Sequence, residues 1–278
     1  MMLGRSGSLN IDRPEPVNPK PRIEVKDLTV RSEDGILKLD HVSFEARAGE
    51  ILGVAGISGS GQKELLEAIA GLQKTESGSI SYIDPDGKKT DITSMDPLKI
   101  AKLGVALSFV PEDRLGMGLL GSMDIPANMM LRSYRQGGSL FTDTKKPKTL
   151  AEKVVNDLEV VTPGLSTPVR RLSGGNVQKV LVGREIAYTP KVLMAAYPVR
   201  GLDINSSYTI YHLLNRQKEN GVAVIYVGED LDVLLELCDR IMVINGGAIT
   251  GIVDARTTTK EDIGLLMTKT DERKEEDA

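Results

Sequence analysis

The sequence predicts an α/β protein in which helices cover both faces of a parallel β-sheet, preceded by an antiparallel β unit. From residue 150 onward, apolar runs rich in Val and Ile alternate with segments of helical period, the pattern of strands joined by covering helices. The apolar strand EILGVAG, residues 50–56, runs directly into a glycine-rich loop and then into a helical pattern. Strand pairs with alternating polarity flank the dipeptides Asp34-Gly35 and Asp86-Gly87, which suit tight hairpin turns.

Composition narrows the function. The 278 residues are 40% hydrophobic and 27% charged, as in ordinary globular proteins, and allow either two small domains or one large α/β unit. Against 35 Lys plus Arg stand 39 Asp plus Glu, so no basic excess is available to neutralise a nucleic-acid backbone. Three Phe, seven Tyr and no Trp leave few stacking platforms for single strands, and nucleic acid is not expected as a partner. One Cys makes neither an internal disulfide nor a cysteine zinc site, which points to a reducing compartment. Only His41 and His212 are available for histidine chemistry. No apolar run approaches the roughly 18 residues of a membrane helix, and the first 20 residues lack the apolar stretch of a secretory signal.

Along the chain, residues 1–22 read as a linker, because Pro14, Pro16, Pro19 and Pro21 deny a helix its amide donors. Folded structure is expected from Ile23, with strands IEVKDLTV, ILKLDHVSFEA and EILGVAG. In QKELLEAIAGL, Leu65, Leu66, Ile69 and Ala70 share one helical face that Gly71 ends. SGSISYID and KKTDIT form the second strand pair, and VALSFV is a short buried strand. Residues 112–180 are expected to hold a small helical subdomain, with glycines and methionines clustered in its first half. A helix over AEKVVNDLEV, a helix after Ser173, and strands KVLMAAY, VAVIYV, RIMVIN and AITGIVD with helices over SSYTIYHLLNRQ and LDVLLELC complete the alternation. One domain over 23–267 and a charged tail over 268–278 follow from this.

The loop after EILGVAG is the first candidate site. Its residues Gly56, Ser58, Gly59, Ser60 and Gly61 stand between a strand and a helix, where backbone amides can curl around phosphate oxygens at the positive end of the helix dipole. Gly56 and Gly61 have the spacing of G-x-x-x-x-G, but Gln62 stands where Lys should reach the phosphates and Lys63 where a hydroxyl should hold magnesium. Lys63 does not substitute in place, since one residue along a helix turns a side chain by about 100°. Losing the charge-assisted contact, worth about 1.5 to 3 kcal/mol, predicts nucleotide affinity weakened roughly tenfold to a hundredfold. An ordinary glycine-rich strand-to-helix turn is the alternative.

The second motif, Leu172-Ser173-Gly174-Gly175-Asn176-Val177-Gln178-Lys179, opens a helix about 110 residues later. Ser173 suits a helix cap, and the amides beyond it point along a dipole that favours phosphate. The pair of motifs resembles the ATPase domains of ABC transporters, and the form LSGGNxQK resembles that of simple-sugar and nucleoside importers. The resemblance spans roughly residues 23–267. It implies a P-loop NTPase of the ABC ATPase type, with an antiparallel β subdomain and a small helical subdomain. It also implies that Ser173, Gly174, Gly175, Asn176 and Gln178 close over ATP and Mg2+ held by the loop of a partner ATPase domain, arranged head to tail.

Residue by residue, the resemblance places the Walker B strand in KVLMAAYPVRGLD, so Ala196 takes the magnesium-organising Asp position and Tyr197 that of the Glu that activates water. Gly201-Leu202-Asp203 matches the D-loop, where Asp203 can meet the partner domain. FVPEDR resembles the segment holding the Q-loop, with Glu112 in place of the glutamine, and Glu229 takes the place of the switch histidine. Catalytic residues and a metal site are therefore not expected in this chain. The pattern resembles the second, degenerate domain of a twin-domain subunit, whose junction is similar to Met1-Met2-Leu3-Gly4-Arg5 and the Pro-rich stretch after it. Transmembrane permease subunits, an extracytoplasmic solute-binding protein acting indirectly, and a peripheral position on the cytoplasmic face of the membrane are implied as well. A scaffold that binds no nucleotide is the competing reading.

Overall fold

The structure is a computed structural model and describes residues 9–109, 118–131 and 145–269. Two sheets organise them. The first is antiparallel, with strands β1 (Lys20–Arg31), β2 (Leu37–Ala48), β4 (Ser77–Ile83) and β5 (Lys89–Asp91) in the order β2-β1-β4-β5. The second has the order β10-β9-β3-β8-β7-β6, formed by β3 (Ile51–Ala55), β6 (Val105–Phe109), β7 (Val192–Ala196), β8 (Ala223–Val227), β9 (Arg240–Asn245) and β10 (Ala248–Asp254). Helices α1 (Gln62–Ile69), α2 (Pro97–Lys102), α3 (Ile125–Met130), α4 (Lys145–Asp157), α5 (Gly174–Ala187), α6 (Ile204–Glu219), α7 (Leu231–Leu237) and α8 (Lys260–Thr268) complete the described elements.

The central strands are buried on both faces, and their side chains divide between two cores with period two. In β3, Ile51 and Ala55 face the core shared with α5, α6 and α7, while Leu52 and Val54 face the core shared with α1 and the antiparallel sheet. Likewise Leu193 and Ala195 of β7 face the first core, and Val192, Met194 and Ala196 the second. Both faces are therefore covered, one by helices as expected and the other by α1 together with the antiparallel sheet.

Three details differ from the sequence reading. The large sheet is mixed: β3, β6, β7, β8 and β9 run parallel, but β10 pairs antiparallel with β9 at the edge. The two-residue turn Gly246-Gly247, both with positive φ, can only join antiparallel neighbours, because a parallel pair needs a long crossover. Helix α4 begins at Lys145, ahead of the expected AEKVVNDLEV, because Pro147 falls in its first turn, where the missing amide costs no helical bond.

The strand β1 starts at Lys20, three residues before Ile23, and the Pro-rich stretch ahead of it is docked from Leu9 onward. Leu9 N–H donates to Glu236 Oε1 at 2.9 Å, Arg13 donates to the carbonyls of Leu235 (2.8 Å) and Cys238 (2.6 Å), and Ile11 is buried. Prolines remove amide donors but keep their carbonyls, and the Pro14 carbonyl accepts from buried Lys218. Lys218 in turn pairs at 2.8 Å with Asp239, whose other oxygen accepts from Ile51 N–H at 2.8 Å in β3.

Candidate functional site

The glycine-rich loop closes between β3 and α1, at the carboxyl edge of the parallel strands where open α/β sheets hold ligands. Its glycines are there for different reasons. A Cβ on Gly56 would strike the Ile244 carbonyl, and one on Gly61 (φ 108°) would sit 2.5 Å from the Lys38 carbonyl, so packing demands both. Gly59 (φ 85°) has nothing within 4 Å of a Cβ, so only its backbone conformation calls for glycine there. Ser60 is buried and its N–H donates to the Ile57 carbonyl at 3.1 Å. The structure places Ser58 in the exposed bend of the same loop.

Gln62 and Lys63 both turn away from a phosphate role. Buried Gln62 folds back and donates from Nε2 to the Ile57 carbonyl at 3.1 Å, closing the loop on itself. Lys63 leans along α1 to Glu67, with Nζ 3.7 Å from Oε1, and lies 5.9 Å from the centre of the Phe109 ring. Helix α1 has Gly61 as its cap residue and no side-chain cap. The loop amides therefore fit a phosphate in outline, without a cation to grip it.

Magnesium fits less well. Ala196 ends β7 fully buried and carries no donor, and Tyr197 follows in the left-handed region (φ 53°), its N–H donating to the Val227 carbonyl at 2.8 Å. Burial raises the Tyr197 phenol above its ordinary pKa, with Arg200 opposing and Glu229 and Glu64 adding to the rise. The ring lies edge-on to Phe109 at 6.4 Å and has the Arg200 guanidinium 4.1 Å above it. Arg200 also pairs with Glu229, which occupies the switch position. Among the described residues, no three His, Cys, Asp or Glu side chains come together as a metal cluster. Glu112 lies outside the described residues. His41, beside Asp40, and His212, on α6, are both exposed.

The second motif makes a different surface. Ser173 caps α5, and its Oγ accepts from Asn176 N–H at 3.4 Å and from Asn176 Nδ2 at 2.9 Å. The Val161 amide fixes which end of the Asn176 side chain is oxygen, donating to Oδ1 at 2.9 Å. Both acceptor sites of the serine hydroxyl are thus taken, and its single proton is left to donate outward. Asp203 caps α6 beside it, accepting from Ser206 N–H (3.0 Å) and Ser206 Oγ (2.7 Å), which hold the carboxyl below its ordinary pKa. Ser173, Gly175, Asn176, Leu202 and Asp203 line one shallow cavity of about 350 Å³. Gln178 is not on this surface: it is fully buried and donates to the Pro198 carbonyl, tying α5 to the loop after β7.

Several participants carry no motif signal. Arg200 lies inside the stretch VRGLD, and only its pairing with Glu229, 29 residues away, reveals a role. Val161 acts through its backbone, which leaves no trace in residue identity. Phe109 stands beside VPEDR, but nothing in that stretch signals its contact with Tyr197.

Comparison with known proteins identifies the family and the fold. The family model described as ABC transporter matches residues 39–198. Among curated proteins, the nucleoside import ATP-binding protein NupA of Lactococcus lactis subsp. cremoris is 38% identical over 270 residues, 96% of this chain and 52% of that protein. The guanosine import ATP-binding protein NupO of Bacillus subtilis is 36% identical, with 96% and 52% covered, and the galactose/methyl galactoside import ATP-binding protein MglA of Clostridium perfringens is 34% identical, with 97% and 50% covered. The chain thus spans about half the length of these relatives. A solved ABC transporter cassette in its ADP conformation superposes with a TM-score of 0.71 at 20% identity, over 90% of this chain and 96% of that one. A dimeric cassette bound to ADP and Pi gives 0.71 at 23%, over 85% and 100%, and both show the shared fold. With more than half of its residues matched by the family model, and the cassette fold in its described residues, the chain belongs to the ABC transporter family.

Proposed function

We propose that this chain is the nucleotide-binding domain of an importer for simple sugars or nucleosides, and that it serves as the degenerate half of a head-to-tail ATPase pair. The names of its relatives, which cover nucleosides, guanosine and galactose, support the solute class. One observation carries the division of labour: Ser173, Gly175, Asn176 and Asp203 share one exposed recess, while Ala196 and Tyr197 leave the chain's own loop without an acid for metal or water. The recess closes over ATP and Mg2+ held by the partner's loop, while the chain's own loop holds ATP weakly. Permease subunits in the membrane engage the region around residues 111–131. A mainly apolar recess of about 350 Å³ beside β6, lined by Leu72, Leu107, Phe109 and Gly118 with the Arg184 and Glu185 side chains at its wall, supports that contact. A solute-binding protein acts indirectly from the far side, and the domain sits peripherally on the cytoplasmic face.

Mixing the chain with an ATPase domain that has an intact phosphate loop gives hydrolysis, and Ser173→Arg or Gly174→Asp lowers it by about a hundredfold or more, as loss of a transition-state donor does. Full hydrolysis in both variants refutes the reading. The Gln62 side chain, closed onto the Ile57 carbonyl, favours a second reading in which the chain is a scaffold that binds no nucleotide. Calorimetric titration separates them, because the scaffold gives no heat with ATP and magnesium up to millimolar concentrations.

A further inference from the structure

We infer that the layered stack of Arg200, Tyr197, Phe109 and Lys63 is a built-in strut that takes the place of a nucleotide in holding the Gly201 to Asp203 turn, so that the recess of Ser173 and Asp203 is positioned whether or not the chain's own loop is filled. Two cations cap two rings. The Arg200 guanidinium lies 4.1 Å from the Tyr197 ring centre, the Tyr197 and Phe109 rings meet edge to face at 6.4 Å and 79°, and Lys63 Nζ lies 5.9 Å from Phe109. All three separations lie within the attractive range for such contacts. Each outer cation is anchored by an acid, Arg200 by Glu229 and Lys63 by Glu67.

The stack joins the elements that a nucleotide at this edge of the sheet would otherwise bridge. Lys63 belongs to α1, Phe109 ends β6, Tyr197 and Arg200 follow β7, and Glu229 follows β8. Tyr197 holds a positive φ that bulky side chains rarely adopt, and such strain persists where the surroundings impose it. Here the Val227 carbonyl and the two flanking layers impose it. The turn itself is light: Arg200 N–H donates to the Tyr197 carbonyl and Leu202 N–H to the Val199 carbonyl, each at 3.1 Å. Fixing the Arg200 side chain fixes the residue before Gly201, and Asp203 at the end of the turn lines the recess.

The value of a fixed turn rests on the proposed function, but its test needs only the chain alone. Amide hydrogen exchange at Leu202 reports the turn, and Val224, bonded to the Glu50 carbonyl at 3.0 Å in the core, reports global stability. Tyr197→Ala is expected to raise exchange at Leu202 relative to Val224 by about tenfold, the combined weight of a cation–π and an aromatic contact. Tyr197→Phe, which keeps the ring, stays within about twofold. Arg200→Gln removes the outer layer without touching the core and gives a smaller rise, about threefold to fivefold for the cation–π contact alone, should Tyr197→Ala fail to fold. An unchanged ratio in Arg200→Gln overturns the strut, as does ATP with magnesium slowing Leu202 in the unaltered chain. Loss of the partner's response to Ser173→Arg would instead sink the proposed function and leave the strut intact.

Discussion

The loop at Gly56 and the turn at Ser173 are both helix N-termini in an ABC fold, yet they treat their polar groups in opposite ways. In the loop, Gln62 donates to the Ile57 carbonyl and Lys63 pairs along the helix surface with Glu67, so both side chains at the expected phosphate positions already have partners within the chain. At the turn, Asn176 fills both acceptor sites of Ser173 and leaves its proton unused. An anion site depends on donors left without internal partners. The dipole that both helices share is worth only about 0.3 to 1 kcal/mol at an exposed end, too little to make the first site equal to the second.

The sharpest way to break this comparison is through the loop glycines. If Gly56 and Gly61 persist because the fold needs them, the loop can lose its nucleotide role and still keep its spacing. Gly61→Ala forces a Cβ to 2.5 Å from the Lys38 carbonyl at φ 108°, and is expected to destabilise the domain by about 3 kcal/mol, strain and overlap together. Gly59→Ala meets no atom and loses only about 1 kcal/mol. Chemical denaturation of the two variants checks this, and equal losses would show that conformation alone keeps the glycines.

Next in size is the missing lysine. Gln62→Lys frees the Ile57 carbonyl and returns a charged donor to the cradle, so ATP affinity should rise roughly tenfold or more. Calorimetry reads this directly. On the proposed function, hydrolysis by the chain alone is expected to be absent or very weak in this variant too, because Ala196 and Tyr197 supply no acid.

How far the sequence revealed all this depends on whether a residue acts through its identity. The strands, the hairpins at Asp34-Gly35 and Asp86-Gly87, and the turn at Ser173 follow from residue type and period, and they stand where expected. The antiparallel edge strand β10 was legible too, had Gly246-Gly247 been weighed as a two-residue hairpin. Docking of the Pro-rich stretch was not, because composition records what prolines remove and not what the Pro14 carbonyl offers to Lys218. The motifs are local runs of residues, but contacts over long separations, Arg200 with Glu229 or Val161 with Asn176, have no local pattern. Gln178 shows the limit of motif reading: it belongs to the signature by sequence, and to the core by position.

The Asn176 relay sharpens the comparison from the side of the turn. The side chain placed by Asn176→Asp still accepts from Val161 N–H but has no amide to offer Ser173, so the serine proton turns inward to the new carboxylate. Hydrolysis by the partnered pair is expected to fall about tenfold, the weight of one hydrogen bond to a charged group. Helix stability should hold or improve, since an acid in the first turn suits the dipole. A fall in both together would mean that Asn176 matters only to folding.

The smallest expected effect concerns Asp203, which faces the same recess. Hydrogen bonds from the Ser206 hydroxyl and N–H hold its carboxyl below the usual range, so the folded state favours the ionised form more than the unfolded chain does. A depressed folded-state pKa contributes stability that is present above the ordinary carboxylate pKa of about 4 and is lost as pH falls through the lower folded value. Thermal midpoints of the unaltered chain and of Asp203→Asn, compared from pH 6 down to about 3, should therefore converge as the pH falls. Asparagine keeps an oxygen to accept the Ser206 donors, so any offset that survives at pH 6 belongs to the charge and not to the cap. Parallel curves across the range would show that the Ser206 donors favour the ionised carboxylate no more than water does in the unfolded chain.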